Sequence, residues 1–204
     1  AGTALPVYEM NSFASGWVAI CLISVLMGWS INLFNFMDGL DGFAATQALA
    51  VAVGLGLAAE FSGGGVTGIK ELCALFFASL LPMLWFNWPP ARMFMGDAGA
   101  IPIGFFLAAL GFLAFEAKSA LGLAWVVLMM PFLVDATFTL GLRLIRGYAP
   151  NQAHQEHAYQ RLAILTGDSL PVCLGLLVMQ VFWLFPLAWT IVSQPLFHLL
   201  LVFL

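Results

Sequence analysis

Long apolar stretches alternate with short polar segments along almost the whole chain. Crossing a bilayer as a helix takes about 20 apolar residues. Six stretches approach or exceed that length, and they occupy 13–34, 43–59, 71–86, 98–115, 119–142 and 169–192. The pattern predicts an all-α, polytopic membrane helix bundle, formed by 1–204 as a single integral-membrane domain.

A seventh apolar stretch, 195–204, is about half as long as a bilayer crossing requires. We therefore expect six complete transmembrane helices and a partial one, in a chain that is a fragment of a longer protein. The second stretch contains Gly54, Gly56 and seven alanines. Small residues allow helices to approach closely in lipid, so we expect this helix to lie centrally in the bundle.

The composition narrows the class of protein further. Apolar residues make up 63% of the 204 residues and charged residues 8%, with a mean hydropathy of +1.02. These values exclude an ordinary soluble enzyme, a disordered chain and a coiled coil. Ten acidic residues outnumber six Lys and Arg, so nucleic acid is not an expected partner. Cys21, Cys73 and Cys173 are expected to be small buried apolar residues, with no disulfide or metal site.

The basic residues predict the orientation of the bundle. Threading the six helices alternately places 35–42, 87–97 and 143–168 on one side of the membrane. That side has four arginines, whereas the other side has Lys70 and Lys118. The positive-inside rule therefore places the arginine-rich side in the cytoplasm. Most of the polar residues that could take part in catalysis or ligand binding lie on that side.

The first polar cluster follows the first predicted helix. Asn32, Asn35 and Asp38 are three residues apart and would share one side of a helix, and Asp41 would continue the series. Such groups are costly in a membrane unless they face water, a cation or a polar ligand. The alternative is a polar helix end with a glycine cap.

The second cluster lies between the third and fourth stretches. Pro89 and Pro90 are expected to end the third helix and form a rigid turn. Arg92 and Asp97 follow. Asp97 stands just before the fourth helix, where it could be an N-cap or a ligand of Mg²⁺, which binds carboxylates together with substrate phosphates.

The third cluster begins in the fifth helix, where Asp135 should face the bundle. Asp135, Thr139, Arg143 and Arg146 form one stripe of that helix; the alternative role for the two arginines is that of snorkelling anchors. The polar segment 147–168 is the right length for a loop or an interfacial helix.

That segment contains His154, His157 and Arg161. Histidines are poor ligands for Mg²⁺, and these three side chains are better suited to donate hydrogen bonds to phosphate oxygens. Acids for a cation and basic groups for phosphate, all on one membrane face, predict a site for Mg²⁺ and a phosphate-bearing substrate. A transporter or channel, and a membrane subunit that only binds a partner protein, are the alternatives.

The polar clusters also match the motifs of a known family. The motifs are Asn32-Leu-Phe-Asn35-Phe-Met-Asp38-Gly-Leu-Asp41-Gly42, Phe86-Asn87-x-Pro-Pro-Ala-Arg92-x-Phe-Met-Gly96-Asp97-x-Gly99, Asp135 with Arg143, and His154-x-x-His157-Ala-Tyr159-Gln160-Arg161. In these the chain resembles the polyprenyl-phosphate N-acetylhexosamine-1-phosphate transferases, glycosyltransferase family four. The His-Ala-Tyr-Gln segment resembles the branch that initiates O-antigen and related glycans more than the peptidoglycan enzyme.

The resemblance implies an activity, a location and partners. Such enzymes move a sugar-1-phosphate from a UDP-N-acetyl sugar to undecaprenyl phosphate and release UMP, with Mg²⁺ or Mn²⁺, at the cytoplasmic face of the bacterial inner membrane. The lipid chain would lie in an apolar groove of the bundle; a homodimer is an open possibility. The family has ten or eleven spans and an earlier pair of adjacent aspartates, which this sequence lacks. The resemblance thus implies a truncated chain, inactive by itself, or an inactive relative.

The resemblance also implies roles for individual residues. Asp97 would bind the metal with help from Asn35, and Asp38 would be a catalytic acid close to the metal. Asp41 would contact the uracil ring, and Asn32 and Arg92 would belong to the substrate site. Basic groups would hold the diphosphate or the developing charge, namely His154, His157 and Arg161.

Overall fold

The computed structural model describes residues 13–62, 68–149 and 155–194, and within these ranges the chain is helical without a strand. The helices are α1 (Phe13–Met37), α2 (Phe43–Phe61), α3 (Ile69–Asn87), α4 (Gly96–Ala117), α5 (Ser119–Ile145), α6 (Ala158–Thr166), α7 (Leu170–Met179) and α8 (Phe185–Ser193). A π-helical turn, Gln180–Leu184, joins α7 to α8. These three pieces form one long helical segment, Leu170–Ser193.

Six helical segments within those ranges are long and apolar enough to cross a membrane. They are α1 to α5 and the segment Leu170–Ser193, and each coincides with a predicted apolar stretch to within a few residues. The predicted all-α, multi-pass bundle is therefore confirmed. The predicted partial span, 195–204, lies outside the described residues. In the polar segment 147–168, α6 is a short helix, as one of the two expectations had it.

Helix α2 is the centre of the bundle. Over an 18-residue stretch of α2, 72% of the residues are buried, compared with 22–44% in the corresponding stretches of the other five spans. It contacts α3, α5, α7 and α8. Its alanines and glycines present little side chain, so four neighbours can pack around one helix. The expected central position of this helix is confirmed.

Helices α1 and α4 approach each other at Gly104. A Cβ atom at this position would lie 2.8 Å from the carbonyl oxygen of Ser30 and 2.9 Å from the Cα of Ile31. The Ser30 hydroxyl donates a hydrogen bond to the Gly104 carbonyl over 3.0 Å. The contact therefore requires glycine, and it places the amino end of α4 beside the carboxyl end of α1.

The end of the bundle predicted to lie outside the cytoplasm contains short connections. Lys70 Nζ lies 2.6 Å from Glu60 Oε2 in an exposed ion pair, and Lys118 donates to the Ser62 carbonyl. The described residues at this end form no group of three or more His, Cys, Asp and Glu side chains that could hold a metal ion. Its contacts join one helix to the next.

The expectation for the cysteines is correct for two of the three. Cys73 and Cys173 are buried free thiols, but Cys21 is exposed on the surface of α1. The prediction of burial for Cys21 is wrong because an apolar helix in a membrane protein can present its small residues to lipid as well as to the core.

Candidate active site

The turn between α1 and α2 carries two of the predicted acids. Helix α1 ends at Met37, so Asp38 is the first residue beyond it, and Asp41 lies in the turn that precedes Phe43. The expectation that Asp41 continues the helical series is therefore wrong. The turn ends at Gly42, the residue before α2, which adopts a left-handed conformation with φ of 74° that favours glycine.

Hydrogen bonds fasten this turn to the loop between α3 and α4. The Ala91 amide donates to Asp41 Oδ2 over 2.9 Å, and the Gly42 amide donates to Asn87 Oδ1 over 3.0 Å. Asn87 in turn donates from Nδ2 to the Met93 carbonyl over 2.9 Å. The first two predicted clusters, about fifty residues apart in sequence, thus form one structure.

Asp38 and Asp97 are neighbours at this junction. The backbone amide of Gly96, the first residue of α4, donates to the Asp38 carboxylate. Partial burial raises the pKa of Asp38 to about 6; the Gly96 hydrogen bond opposes this rise, and the negative charge of Asp97 adds to it. A carboxylate whose proton affinity is raised by burial and by a neighbouring negative charge is a favourable environment for a cation.

The alternative role for Asp97, an N-cap, is not what the structure shows. Helix α4 begins at Gly96, with Met95 at the capping position and no side-chain cap. Asp97 is therefore inside the first turn, and its side chain is exposed. A negative charge is favourable at this end of a helix, and the exposed carboxylate remains available to a ligand.

The two asparagines of the first motif differ in their contacts. Asn32 Nδ2 donates to the Gly28 carbonyl, one turn earlier in the same helix, over 2.9 Å. Asn35 is half-buried on the last turn of α1, three residues before Asp38. Asn35 is therefore closer in sequence and in helical position to the acidic pair than Asn32 is.

The arginines fall into two groups. Arg92 and Arg161 are exposed, on the α3–α4 loop and on α6, at the same end of the bundle as the acids. Arg143 is buried, and its guanidinium lies 3.3 Å from Glu156 Oε1. The snorkelling role considered for Arg143 is wrong because Glu156, from the following loop, gives the guanidinium an ionic partner inside the fold. Arg146 is exposed.

Of the two predicted histidines, only His157 is among the described residues; His154 lies outside them. His157 is buried at the N-cap position of α6, and its Nδ1 lies 3.5 Å from Asp135 Oδ1. Asp135 also accepts hydrogen bonds from the backbone amides of Ala158 and Tyr159, over 3.0 and 3.4 Å. The carboxylate of α5 therefore holds the beginning of α6.

Tyr159 is a motif residue for which the sequence predicts no role. In the structure its ring stacks on Phe43 with centroids 4.7 Å apart. Its hydroxyl donates to the Phe36 carbonyl over 3.0 Å. A tyrosine on a short polar helix between apolar spans is the signal that could have identified this contact, because a buried tyrosine hydroxyl generally finds a partner.

A cavity of about 530 Å³ opens beside these groups. Its walls come from the α1–α2 turn, from α6 and from the connection to α7, and they include Gly39, Leu40, Asp41, Gln155, Gln160 and Asp168. The volume falls within the range of small-molecule sites. Asp41 is thus shared between the loop that it fastens and a cavity large enough for a ligand.

No group of three or more His, Cys, Asp and Glu side chains that could hold a metal ion occurs in residues 13–62, 68–149 and 155–194. The acidic pair, with Asn35 nearby, supplies oxygen donors only. This donor set fits Mg²⁺, which commonly binds through one or two carboxylates and completes its coordination with water and substrate phosphates.

Comparison with known proteins supports the family that the motifs indicate, but not the O-antigen-initiating branch. Residues 2–115, more than half of the chain, match Glycosyl transferase family 4. Three similar relatives are all named phospho-N-acetylmuramoyl-pentapeptide-transferase. The protein of Wolbachia sp. subsp. Brugia malayi is 48% identical over 82 residues, which is 40% of this chain and 24% of the relative.

The other two matches are longer. The protein of Nautilia profundicola is 33% identical over 135 residues, 60% of this chain and 38% of the relative. That of Wolbachia pipientis wMel is 38% identical over 96 residues, 47% of this chain and 28% of the relative. The chain thus matches between about a quarter and two fifths of the length of these relatives. Because the family match takes in both the Asp38–Asp41 turn and Asp97, the chain belongs to glycosyl transferase family 4.

Proposed function

We propose that the protein transfers an N-acetylhexosamine-1-phosphate from a UDP-sugar to undecaprenyl phosphate and releases UMP. The observation that carries this proposal is the pairing of Asp38 with Asp97 at the same end of the bundle as the 530 Å³ cavity that Asp41 lines. Exposed Arg92 and Arg161 at this end supply positive charge. The reaction would take place at the cytoplasmic face of the bacterial inner membrane, by the excess of arginine on that side.

Asp38 and Asp97 would hold the divalent cation, Mg²⁺ or Mn²⁺, and Asn35 would contribute an amide oxygen. When bound, the cation neutralises charge on the diphosphate of the donor. Asp38 is the more buried of the two acids and has the raised pKa. Its ionised form is therefore the one that a cation would stabilise most.

The cavity would bind the uridine part of the donor. Asp41 already fixes the α3–α4 loop with one carboxylate oxygen, and its place in the cavity wall suits it to accept a hydrogen bond from a nucleobase. His157, Arg161 and His154 would donate to the phosphate oxygens. These groups keep the donor oriented while its sugar-1-phosphate faces the membrane.

The bonds exchanged are those of an in-line phosphoryl transfer. An oxygen of the lipid phosphate attacks the β-phosphorus of the UDP-sugar, the bond between that phosphorus and the bridging oxygen breaks, and UMP leaves with the bond's electron pair. Little covalent work falls to the protein in such a reaction. Its residues act mainly by positioning and by charge neutralisation.

The acceptor's long apolar chain requires a groove in the membrane part of the bundle, and the structure has one. A groove of about 480 Å³ lies between α2, α3 and the Leu170–Ser193 segment, with walls that are almost entirely apolar. It adjoins a second cavity at Leu81, Leu84 and Trp88, and this second cavity reaches Arg92. An apolar path that ends at an arginine is suited to a lipid phosphate.

Two donors compete for the assignment. The His157-Ala-Tyr159-Gln160 segment favours a UDP-N-acetylhexosamine, as in the branch that initiates O-antigen and related glycans. The names of the relatives favour UDP-N-acetylmuramoyl-pentapeptide instead. We propose the first as the donor, and the second is the candidate that a direct comparison has to exclude.

The test is UMP release from a panel of donors. Membranes with the full-length protein would receive undecaprenyl phosphate, Mg²⁺ and either a UDP-N-acetylhexosamine or UDP-N-acetylmuramoyl-pentapeptide. We expect release with an N-acetylhexosamine donor. Release with the pentapeptide donor alone would assign the protein to the peptidoglycan reaction, and no release from inserted, folded protein with any donor would overturn the proposal.

A further inference from the structure

Asp135 is a largely buried carboxylate that accepts three hydrogen bonds and faces His157. Its side chain is 12% exposed. Oδ1 accepts from Thr139 Oγ1 over 3.1 Å, lies 3.0 Å from the Ala158 amide nitrogen and 3.5 Å from His157 Nδ1, and Oδ2 accepts from the Tyr159 amide over 3.4 Å. These contacts offset the cost of placing a carboxylate inside a helix bundle.

The hydrogen bonds that Asp135 accepts from two backbone amides of α6 are the main observation behind the inference. The first backbone amides of a helix have no partner within that helix, and a carboxylate placed there is favoured by the helix dipole. Gln160 of α6 itself accepts a hydrogen bond from the His157 amide over 3.4 Å. The Ala158 and Tyr159 amides, however, are capped by α5, more than twenty residues away in sequence. The position of α6 is therefore set by α5 through Asp135.

Tyr159 connects α6 to the α1–α2 turn. Its hydroxyl donates to the Phe36 carbonyl over 3.0 Å. Burial raises the pKa of Tyr159, with the charges of Asp135 and Asp38 acting in the same direction, so the hydroxyl remains a donor. At Gly39 a Cβ atom would overlap that hydroxyl. The turn that holds Asp38 thus lies directly against Tyr159.

We propose that Asp135 is a positioning residue for the reaction: it fixes the start of α6, and through Tyr159 and its contact at Phe36 and Gly39 it sets the turn that carries Asp38 and Asp41. The inference rests on the proposed function for its effect on catalysis. The mechanical link between α5, α6 and the turn stands independently of that function, so the two can be tested separately.

The first experiment measures amide hydrogen exchange in the full-length protein. Asp135→Asn keeps the size of the side chain but leaves one acceptor oxygen, so an amide group faces a backbone N–H. We expect faster exchange in peptides that cover 158–162 and also 36–42, with the rest of the bundle unchanged. Tyr159→Phe, which keeps the ring stacking on Phe43, should accelerate exchange in 36–42 alone. Unchanged exchange in 36–42 in both variants would overturn the proposal.

The second experiment measures kcat/KM for UMP release. Residues that hold catalytic groups in place typically contribute about 10- to 100-fold to activity. We expect a loss of that size in kcat/KM for Asp135→Asn and for Tyr159→Phe. Because the two residues act along one path, the double variant should be no more than about threefold worse than the poorer single variant. Multiplicative losses would indicate two independent structural roles and contradict the proposal.

Matched substitutions control for general damage. Tyr148→Phe makes the same change at an exposed tyrosine after α5, and Glu116→Gln makes a carboxylate-to-amide change at the other end of the bundle; both should retain wild-type rates. Coupled exchange in a protein that releases no UMP would support the positioning path and refute the proposed function. Wild-type rates in Asp135→Asn, with release that requires Asp38, would refute the positioning role alone.

Discussion

The bundle contains a buried amide cluster and an only partly buried acidic cluster, and the two are built from different chemistry. In the amide cluster, Gln180 Nε2 donates to Gln47 Oε1 over 2.8 Å and to the Leu128 carbonyl over 2.9 Å, and Gln47 donates to the same carbonyl over 2.9 Å. In the acidic cluster, Asp135 accepts hydrogen bonds from the start of α6, and Asp38 is close enough to Asp97 for their charges to interact.

The two clusters differ in their charge and in their exposure. The amide cluster is neutral and joins α2, α5 and the π-helical turn inside the bundle. The acidic cluster holds carboxylates close to one another at one end of the bundle, where Asp97 is exposed. Burying charge in a membrane protein is expensive, so a cluster that retains repelling carboxylates indicates a ligand, whereas a neutral amide cluster indicates packing.

Asp38→Asn should produce the largest effect. It removes a charge that would bind the cation, so we expect UMP release to fall by about 10³-fold. The same change relieves repulsion from Asp97, so the melting temperature should stay the same or rise. Rates and thermal unfolding of the full-length protein, with Glu116→Gln as control, check both halves. A variant that keeps its activity would remove Asp38 from the site.

Gly39→Ala comes next. The new Cβ would overlap the Tyr159 hydroxyl and lie 3.1 Å from Gln160 Nε2, so the acidic turn has to move away from α6. We expect a loss of about 10- to 100-fold in kcat/KM, comparable to that of other positioning changes. Gly141→Ala, at a helical glycine with open space around it, is the matched control and should behave as wild type. Equal rates for the two variants would show that the fit of Tyr159 on the turn is unimportant.

Gln180→Met tests the other side of the comparison. It retains the length of the side chain but removes the hydrogen bonds to Gln47 and Leu128. Hydrogen bonds between membrane helices contribute on average about 0.6 kcal/mol each, so the free energy of unfolding should fall by about 1 kcal/mol. UMP release should stay within about twofold of wild type. A loss of activity larger than the loss of stability explains would give the amide cluster a functional role.

Lys70→Gln should have the smallest effect. Its ion pair with Glu60 is about half exposed on both sides, and exposed pairs contribute little. Melting temperature and UMP release should both match wild type. A clear drop in activity would mean that the end of the bundle opposite the acidic cluster also takes part in the function.

The sequence predicts the spans well because each is long and apolar enough to be recognised locally. It also identifies Asp38, Asp41 and Asp97 as chemical groups, since acids beside apolar stretches are conspicuous. It does not reveal that Asp41 leaves the helical series, because the polar spacing of three continues beyond Met37, where α1 ends. The burial of Arg143 is equally hidden, since it depends on Glu156 in a later loop.

The roles of Asp135 and Tyr159 depend on tertiary contacts that no local pattern encodes. Asp135 caps a helix that begins 23 residues later, and the Tyr159 hydroxyl reaches Phe36, 123 residues earlier. Spacing on a single helix predicts only which residues share a face. Which helix approaches that face follows from the packing of the whole bundle.

The central claim is that Asp38 and Asp97 form one cation-dependent phosphoryl-transfer site. The most direct test measures UMP release from the full-length protein and from Asp97→Asn, with Mg²⁺ present, removed by a chelator and then restored. The account predicts release that disappears with the chelator, returns with Mg²⁺ and falls by about 10³-fold in the variant. Release that is unaffected by the chelator, or that Asp97→Asn carries out at the wild-type rate, would contradict it.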